Sequence, residues 1–198
     1  MKSAVMLLGS ILLAPALLAQ PRDSRAPSAT GRNDTTSFRF AEIEWGATAD
    51  SVKSALQRDG LRYVDTDSLG DLTFVGKVVQ RNAAVIATMH DGRLVRTVIG
   101  FEKSPRASLP LYRAIKRELV AKYGAPKLNT EVFLPPYYEG DGNEDGAFLT
   151  KKAQFISLWR SAGNGEKLTL FVDERPGVMV IYASPDWASE EARRRAKR

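Results

Sequence analysis

The sequence predicts an α+β fold, a duplicated helix plus four-stranded antiparallel meander with the helices packed on one sheet face. Three observations carry that expectation. Two helical segments each run into a glycine, VKSALQRDGL at residues 52–61 and IKRELVAKYGAP at 115–126. Each is followed by about four short apolar runs separated by turn residues. The runs that close the two halves, VRTVIGF and GVMVIYA, match in type. The expected halves cover residues 38–103 and 108–184 of one domain spanning 38–184.

Order begins at Phe38, where Phe38, Phe40 and Ile43 lead into Trp45-Gly46. Thr48 can cap a helix whose first turn holds Asp50, a favourable place for a carboxylate. Val52, Ala55 and Leu56 then recur at helical spacing, and Gly60 stops the helix. Strand-like runs follow at 61–64, 71–79, 83–89 and 94–101. Between them stand Asp67-Ser68-Leu69-Gly70, Arg81-Asn82 and Asp91-Gly92, the last a strong two-residue hairpin signal. In the second half Ser108 is the expected helix cap, with Pro110 tolerated in the first turn. Leu111, Ile115, Leu119 and Tyr123 recur at four-residue steps until Gly124, and Pro126 blocks continuation. Strands are then expected at 128–134, 153–161, 167–173 and 178–183, with turns at Gly163-Asn164-Gly165 and Arg175-Pro176-Gly177.

Residues 1–19 have the layout of a secretory signal peptide: Lys2, an apolar core, then small residues around Ala19. The apolar run from Val5 to Leu18 is shorter than the roughly 20 residues of a spanning helix. Residues 20–37, rich in Pro, Ser, Thr, Arg and Asp, read as a disordered tether. Residues 185–198 read as a basic C-terminal helix or tail. The expected protein is therefore exported, periplasmic or secreted, and soluble once the leader is cleaved.

Composition narrows the chemistry. The chain has 198 residues, 29 Lys+Arg against 23 Asp+Glu, one histidine and no cysteine. Disulfides, thiol nucleophiles and cysteine metal sites all require Cys, and an acylated N-terminal cysteine is equally impossible. His90 alone would have to serve any Ser-His-Asp triad, yet it sits beside Asp91-Gly92 at a hairpin tip. Asp65, Asp67 and Asp71 cluster at a turn, where aspartate is favoured for its own hydrogen bonds. No catalytic residue and no cofactor is expected.

The loop Asp141-Gly142-Asn143-Glu144-Asp145-Gly146 matches the first half of a calcium loop, with Asp141, Asn143 and Asp145 as weak ligand candidates. Lys152 stands where the bidentate Glu is needed, and a strand rather than a helix is expected after the loop. A solvated acidic loop is the preferred reading. Leu134-Pro135-Pro136-Tyr137-Tyr138 precedes it, and an exposed Tyr137–Tyr138 pair makes a reasonable partner contact. Arg193, Arg194 and Arg195 are candidates for a weak contact with an anionic surface. No aromatic-interleaved basic platform accompanies them, so nucleic acid is not an expected partner.

Two helices cannot cover both faces of about eight strands, yet the strands are apolar on both alternations. Leu72, Phe74 and Val78 share one face, and Val75 and Val79 the other. Phe155 and Trp159 oppose Ile156 and Leu158. Either the two sheets pack on each other or the halves dimerise; otherwise an aromatic sheet face is left to bind a partner.

The segment Phe40-Ala41-Glu42-Ile43-Glu44-Trp45-Gly46-Ala47-Thr48-Ala49-Asp50-Ser51-Val52 resembles the start of many exported bacterial proteins, in which an apolar strand, Trp-Gly and a capped helix open each unit. The helix–Gly–meander plan is similar to the SmpA/OmlA outer-membrane assembly family, and its doubling resembles the β-lactamase-inhibitor-protein fold. The resemblance implies a protein-binding module whose sheet face carries the contacts. The missing cysteine departs from both groups, from the lipid anchor of the first and the disulfides of the second.

The leading expectation is thus a non-enzymatic module that binds an envelope protein through a sheet face and the 135–150 loop. Phe74, Phe155, Trp159 and Tyr182 are the candidate contacts on the face. An envelope small-ligand or anion-binding protein using a cleft between the halves is the alternative, and a hydrolase comes last.

Overall fold

The computed structural model describes residues 37–102, 107–174 and 177–196. The expected leader, nearly all of the tether, and Lys197 and Arg198 lie outside the described residues. The elements run α1 (Ala49–Arg58), β1 (Arg62–Thr66), β2 (Leu72–Val78), β3 (Arg81–His90), β4 (Arg93–Phe101), α2 (Ser108–Tyr123), β5 (Leu128–Phe133), α3 (Glu144–Leu149), β6 (Ala153–Arg160), β7 (Lys167–Val172), β8 (Val178–Ala183) and α4 (Trp187–Ala196).

The eight strands form one antiparallel sheet in the order β1-β2-β3-β4-β8-β7-β6-β5. This corrects the expected duplicated helix plus four-stranded meander. The architecture is a single continuous sheet with four short helices, and strand rather than helix dominates it. The two runs of strands merge because their last members pair: Arg96 to Gly100 of β4 register against Ala183 to Met179 of β8. Both segments are apolar on both alternations, so each forms a full ladder on both sides and neither is left as an edge.

The core lies on one face. Phe74, Val85, Ile99, Val180, Leu170 and Ser157 alternate inward across successive strands. Val52 and Leu56 of α1 and Tyr112, Ile115 and Leu119 of α2 are buried against that face. Thr48 caps α1 by accepting a hydrogen bond from Ser51 N–H at 3.3 Å. Inside α2, the Tyr112 hydroxyl lies 2.8 Å from Ser157 Oγ, and burial pushes the phenol up to about 12. Ser157 donates in turn to Asn129 Oδ1, so the buried polar group on β6 is satisfied.

Two local differences from the sequence expectation have physical causes. The β2–β3 reversal falls on Val79 and Gln80, both at positive φ, not on Arg81-Asn82, which are paired in the ladder. A two-residue hairpin demands left-handed backbone at both central positions, and a β-branched valine resists it. Replacing Val79-Gln80 with Asn-Gly should therefore raise stability by about 1 kcal/mol, read from the urea unfolding midpoint. No gain would mean that this backbone carries no strain. The acidic loop, expected to lead straight into a strand, instead enters α3, whose Ala147 and Phe148 are buried.

The helices also do not all share one face. The Ser184-Pro185-Asp186 reversal carries the chain past the sheet end. Arg96 points away from α1 and α2, and Trp187 of α4 stacks on it, 4.5 Å from guanidinium carbon to ring centre. So α4 sits on the opposite side.

Candidate functional site

The strand ladders fix which side chains occupy the face that α1, α2 and α3 leave open. One row runs Val75, Ala84, Gly100, Met179, Phe171, Ile156 and Thr130 across seven strands. The next runs Thr73, Ile86, Val98, Ile181, Thr169, Leu158 and Leu128. Every member is half-buried or exposed. Two adjacent rows, apolar apart from threonines, therefore span the sheet with no helix above them. A contiguous surface of this kind is more than scattered surface hydrophobes.

The face has relief. Ala84 and Gly100 are small, and a hollow of about 540 Å³ opens beside Val75, Ala84 and Gly100. Met179 leans toward it: a Cβ added at Gly100 would stand 3.2 Å from the Met179 sulfur. A flexible thioether at the rim of a hollow adapts to the shape of a partner. A second hollow of about 440 Å³ lies toward β5, among Val132, Ile156 and Phe171. Asp173, Glu174 and Lys151 edge it. Each hollow thus joins an apolar floor to a polar margin, the anatomy of a protein contact.

One end of this face is closed by α4. Thr88 and Ala183 are buried there although they point away from the core. Arg194 makes the closure, donating to both Asp71 oxygens at 2.7 and 3.0 Å, to Glu190 Oε1 at 2.6 Å and to the Met89 carbonyl at 2.7 Å. Its guanidinium pKa is raised, first by the Asp71 hydrogen bonds. Burial works to raise the Glu190 carboxyl, but the Arg194 hydrogen bond, His90 and Arg193 outweigh it and hold the group below its ordinary range.

A depressed carboxyl stabilises the fold above its unfolded pKa, and that contribution disappears as the pH falls through the folded value. Acidification below about pH 4 should therefore release α4 before the sheet melts. Trp187 fluorescence would then change ahead of the far-ultraviolet strand signal. Coincident transitions would contradict this.

The expected site residues fall in different places. Phe74, Phe155, Trp159 and Tyr182 are 0%, 2%, 2% and 7% exposed, on the helix-covered side. They are core, and the open face is built from the alternate positions. Tyr138 is 66% exposed and Tyr137 half-buried, so the two tyrosines do not form one exposed pair. Arg193, Arg194 and Arg195 are engaged within the chain, with His90 and Glu190, with Asp71 and Glu190, and with Glu191 respectively. Arg194 is structural; its side chain is mostly buried.

In the acidic loop, Asp141 accepts from Tyr138 N–H at 3.1 Å and from Asn143 N–H at 2.7 Å, while Asn143 Oδ1 faces Gly146. Both Asp141 oxygens therefore hold the turn, and Asp145 already belongs to the first turn of α3. Among the described residues no group of three or more His, Asp or Glu could hold a metal ion. His90 is partly buried against Glu190 and Asp91, at 2.9 and 3.2 Å, not free at the hairpin tip.

A cavity of about 570 Å³ lies elsewhere, between the β2–β3 turn and the start of α2. Lys77 and Arg81 line it together with Glu102, which offsets one of the two positive charges. The open face was the harder feature to find from sequence. Its one signal was the double alternation that sets Val75, Ile156 and Leu158 against Phe74, Phe155 and Trp159.

Among the described residues no helix is long and apolar enough to cross a membrane. The chain matches no family model, no curated protein and no solved structure.

Proposed function

We propose that this chain is a non-enzymatic, exported protein-binding module of the cell envelope, and that it binds through the sheet face that α1, α2 and α3 leave open. The observation that carries this reading is the pair of adjacent apolar rows running across seven strands, open to solvent and floored by hollows. Burying such rows is the main driving force for association, at about 25 cal/mol per Å² of apolar surface before ordering costs. Tyr138 and Leu149 of the 135–150 loop are also exposed, on a segment that the Arg113–Glu139 ion pair ties to α2. The opening similarity to the SmpA/OmlA family supports an envelope setting for the partner.

The test is capture of the partner from envelope extract by the wild-type protein and by a variant with one charge on the face. Ile86→Asp serves, because Ile86 is 38% exposed and its replacement leaves the core intact. Loss of the captured protein on this substitution supports the reading. Unchanged capture contradicts it.

A further inference from the structure

The two edges of the sheet differ. At the β1 edge the strand is short, carries Arg62 and Asp65, and is bent by a bulge between Tyr63 and Asp65. Charges, brevity and a bulge are the devices by which proteins stop an edge from pairing with another chain. The β5 edge, Leu128–Phe133, is less guarded: LNTEVF pairs with β6 in unbroken register, contains neither proline nor lysine, and its one charge, Glu131, is already held by Lys116. Leu128 and Val132 are 50% and 39% exposed on its outer face. Leu134 N–H donates to the Lys152 carbonyl at 2.7 Å, which phases the ladder. Even-numbered residues of β5 therefore pair toward β6, and the N–H and C=O groups of Asn129, Glu131 and Phe133 turn outward.

We propose that a second copy of this chain covers this edge, with β5 pairing antiparallel to β5 about a twofold axis at Thr130. The register is chosen by chemistry. Centred on Thr130, Leu128 of one copy stands opposite Val132 of the other, in both halves of the pair. Asn129 and Glu131 then fall opposite each other as the mutually hydrogen-bonded residues, with four main-chain bonds across the axis. The Glu131 carboxylate is held by Lys116 and the Asn129 oxygen by Ser157. The Asn129 amide N–H₂ is thereby aimed to donate across the pair to the second Glu131. Centring on Glu131 would oppose two carboxylates, and centring on Asn129 would set Val132 against Pro126. An isologous twofold contact of this kind is the commonest form of homodimer. It joins two open faces into one longer apolar surface. It does not depend on the partner proposed above.

Sedimentation velocity of the full chain should give twice the mass of one chain. Thr130→Lys places two like charges on the axis, and so does Thr130→Glu; each alone should halve the mass. Mixing the two variants should restore the dimer, because only this register puts position 130 against itself. The chain has no cysteine, so Thr130→Cys introduces a single thiol. Directly opposed Cβ atoms at about 4.5–5.5 Å lie close to disulfide range. Under mild oxidation this variant should cross-link into a covalent dimer and Val132→Cys should not. A single-chain mass for the unmodified protein, a dimer that survives Thr130→Lys, or equal cross-linking at 130 and 132 would overturn the proposal. Should either charged variant fail to fold, the cysteine pair decides alone.

Discussion

Trp159→Ala should remove most of the stability of the fold. Trp159 is buried on the inner face of β6, and its indole N–H donates to the Gly124 carbonyl at 2.8 Å, just beyond α2. One side chain thus ties the end of the second helix to the sheet. Truncating a buried tryptophan costs about 3–5 kcal/mol in lost contacts and residual cavity. The orphaned carbonyl adds about 1 kcal/mol. Against a total of about 5–15 kcal/mol for a small domain, the variant should lie near or past its unfolding threshold at room temperature. Urea titration followed by strand circular dichroism reads the loss. A shift below about 1 kcal/mol would mean that the residue is not core.

Ile86→Asp should do the opposite, leaving the fold and removing binding. Ile86 stands between Thr73 and Val98 on the open face, where water already reaches it. The change in strand propensity at such a site is about 1 kcal/mol. In a complex the carboxylate would be buried against apolar surface without a partner. Central interface positions of this kind cost about 2 kcal/mol or more, roughly a thirtyfold weakening. Phe171→Asp, in the same pair of rows on β7, should act alike from the other half of the sheet. Titration calorimetry with the captured partner measures both. Equal affinity for both variants and wild type would mean that binding, if any, uses another surface.

The contrast between Trp159 and Ile86 shows how far residues alone lead. Individual strands were legible because turn residues punctuate apolar runs, and β8 begins and ends where its sequence suggests. The helix stops at Gly60 and Gly124 were legible for the same local reason. The joining of β4 to β8 was not. It pairs residues 79 to 87 positions apart, and both strands are apolar on both alternations, so the pattern alone names no neighbour. Six residues with an internal glycine fall below what helix propensity can reveal, so α3 became visible only through the burial of Phe148.

The open face was half legible. Alternation separated Phe74 and Trp159 from Val75, Ile156 and Leu158, but parity cannot tell which set the helices cover. Aromatic size drew attention to the wrong set, since large rings are what a core needs. The basic tail misled in a similar way. Three consecutive arginines suggest an anionic surface, while Arg194 instead reaches Asp71 across 123 positions of chain and closes one end of the sheet.

The proposed binding surface is the sheet face that α1, α2 and α3 leave open. Its most direct measurement is the affinity of the captured partner for Ile86→Asp and wild type, taken alongside their unfolding midpoints. Affinity should weaken by roughly thirtyfold with stability nearly unchanged. Affinity equal to wild type, in a variant shown to be folded, would contradict it.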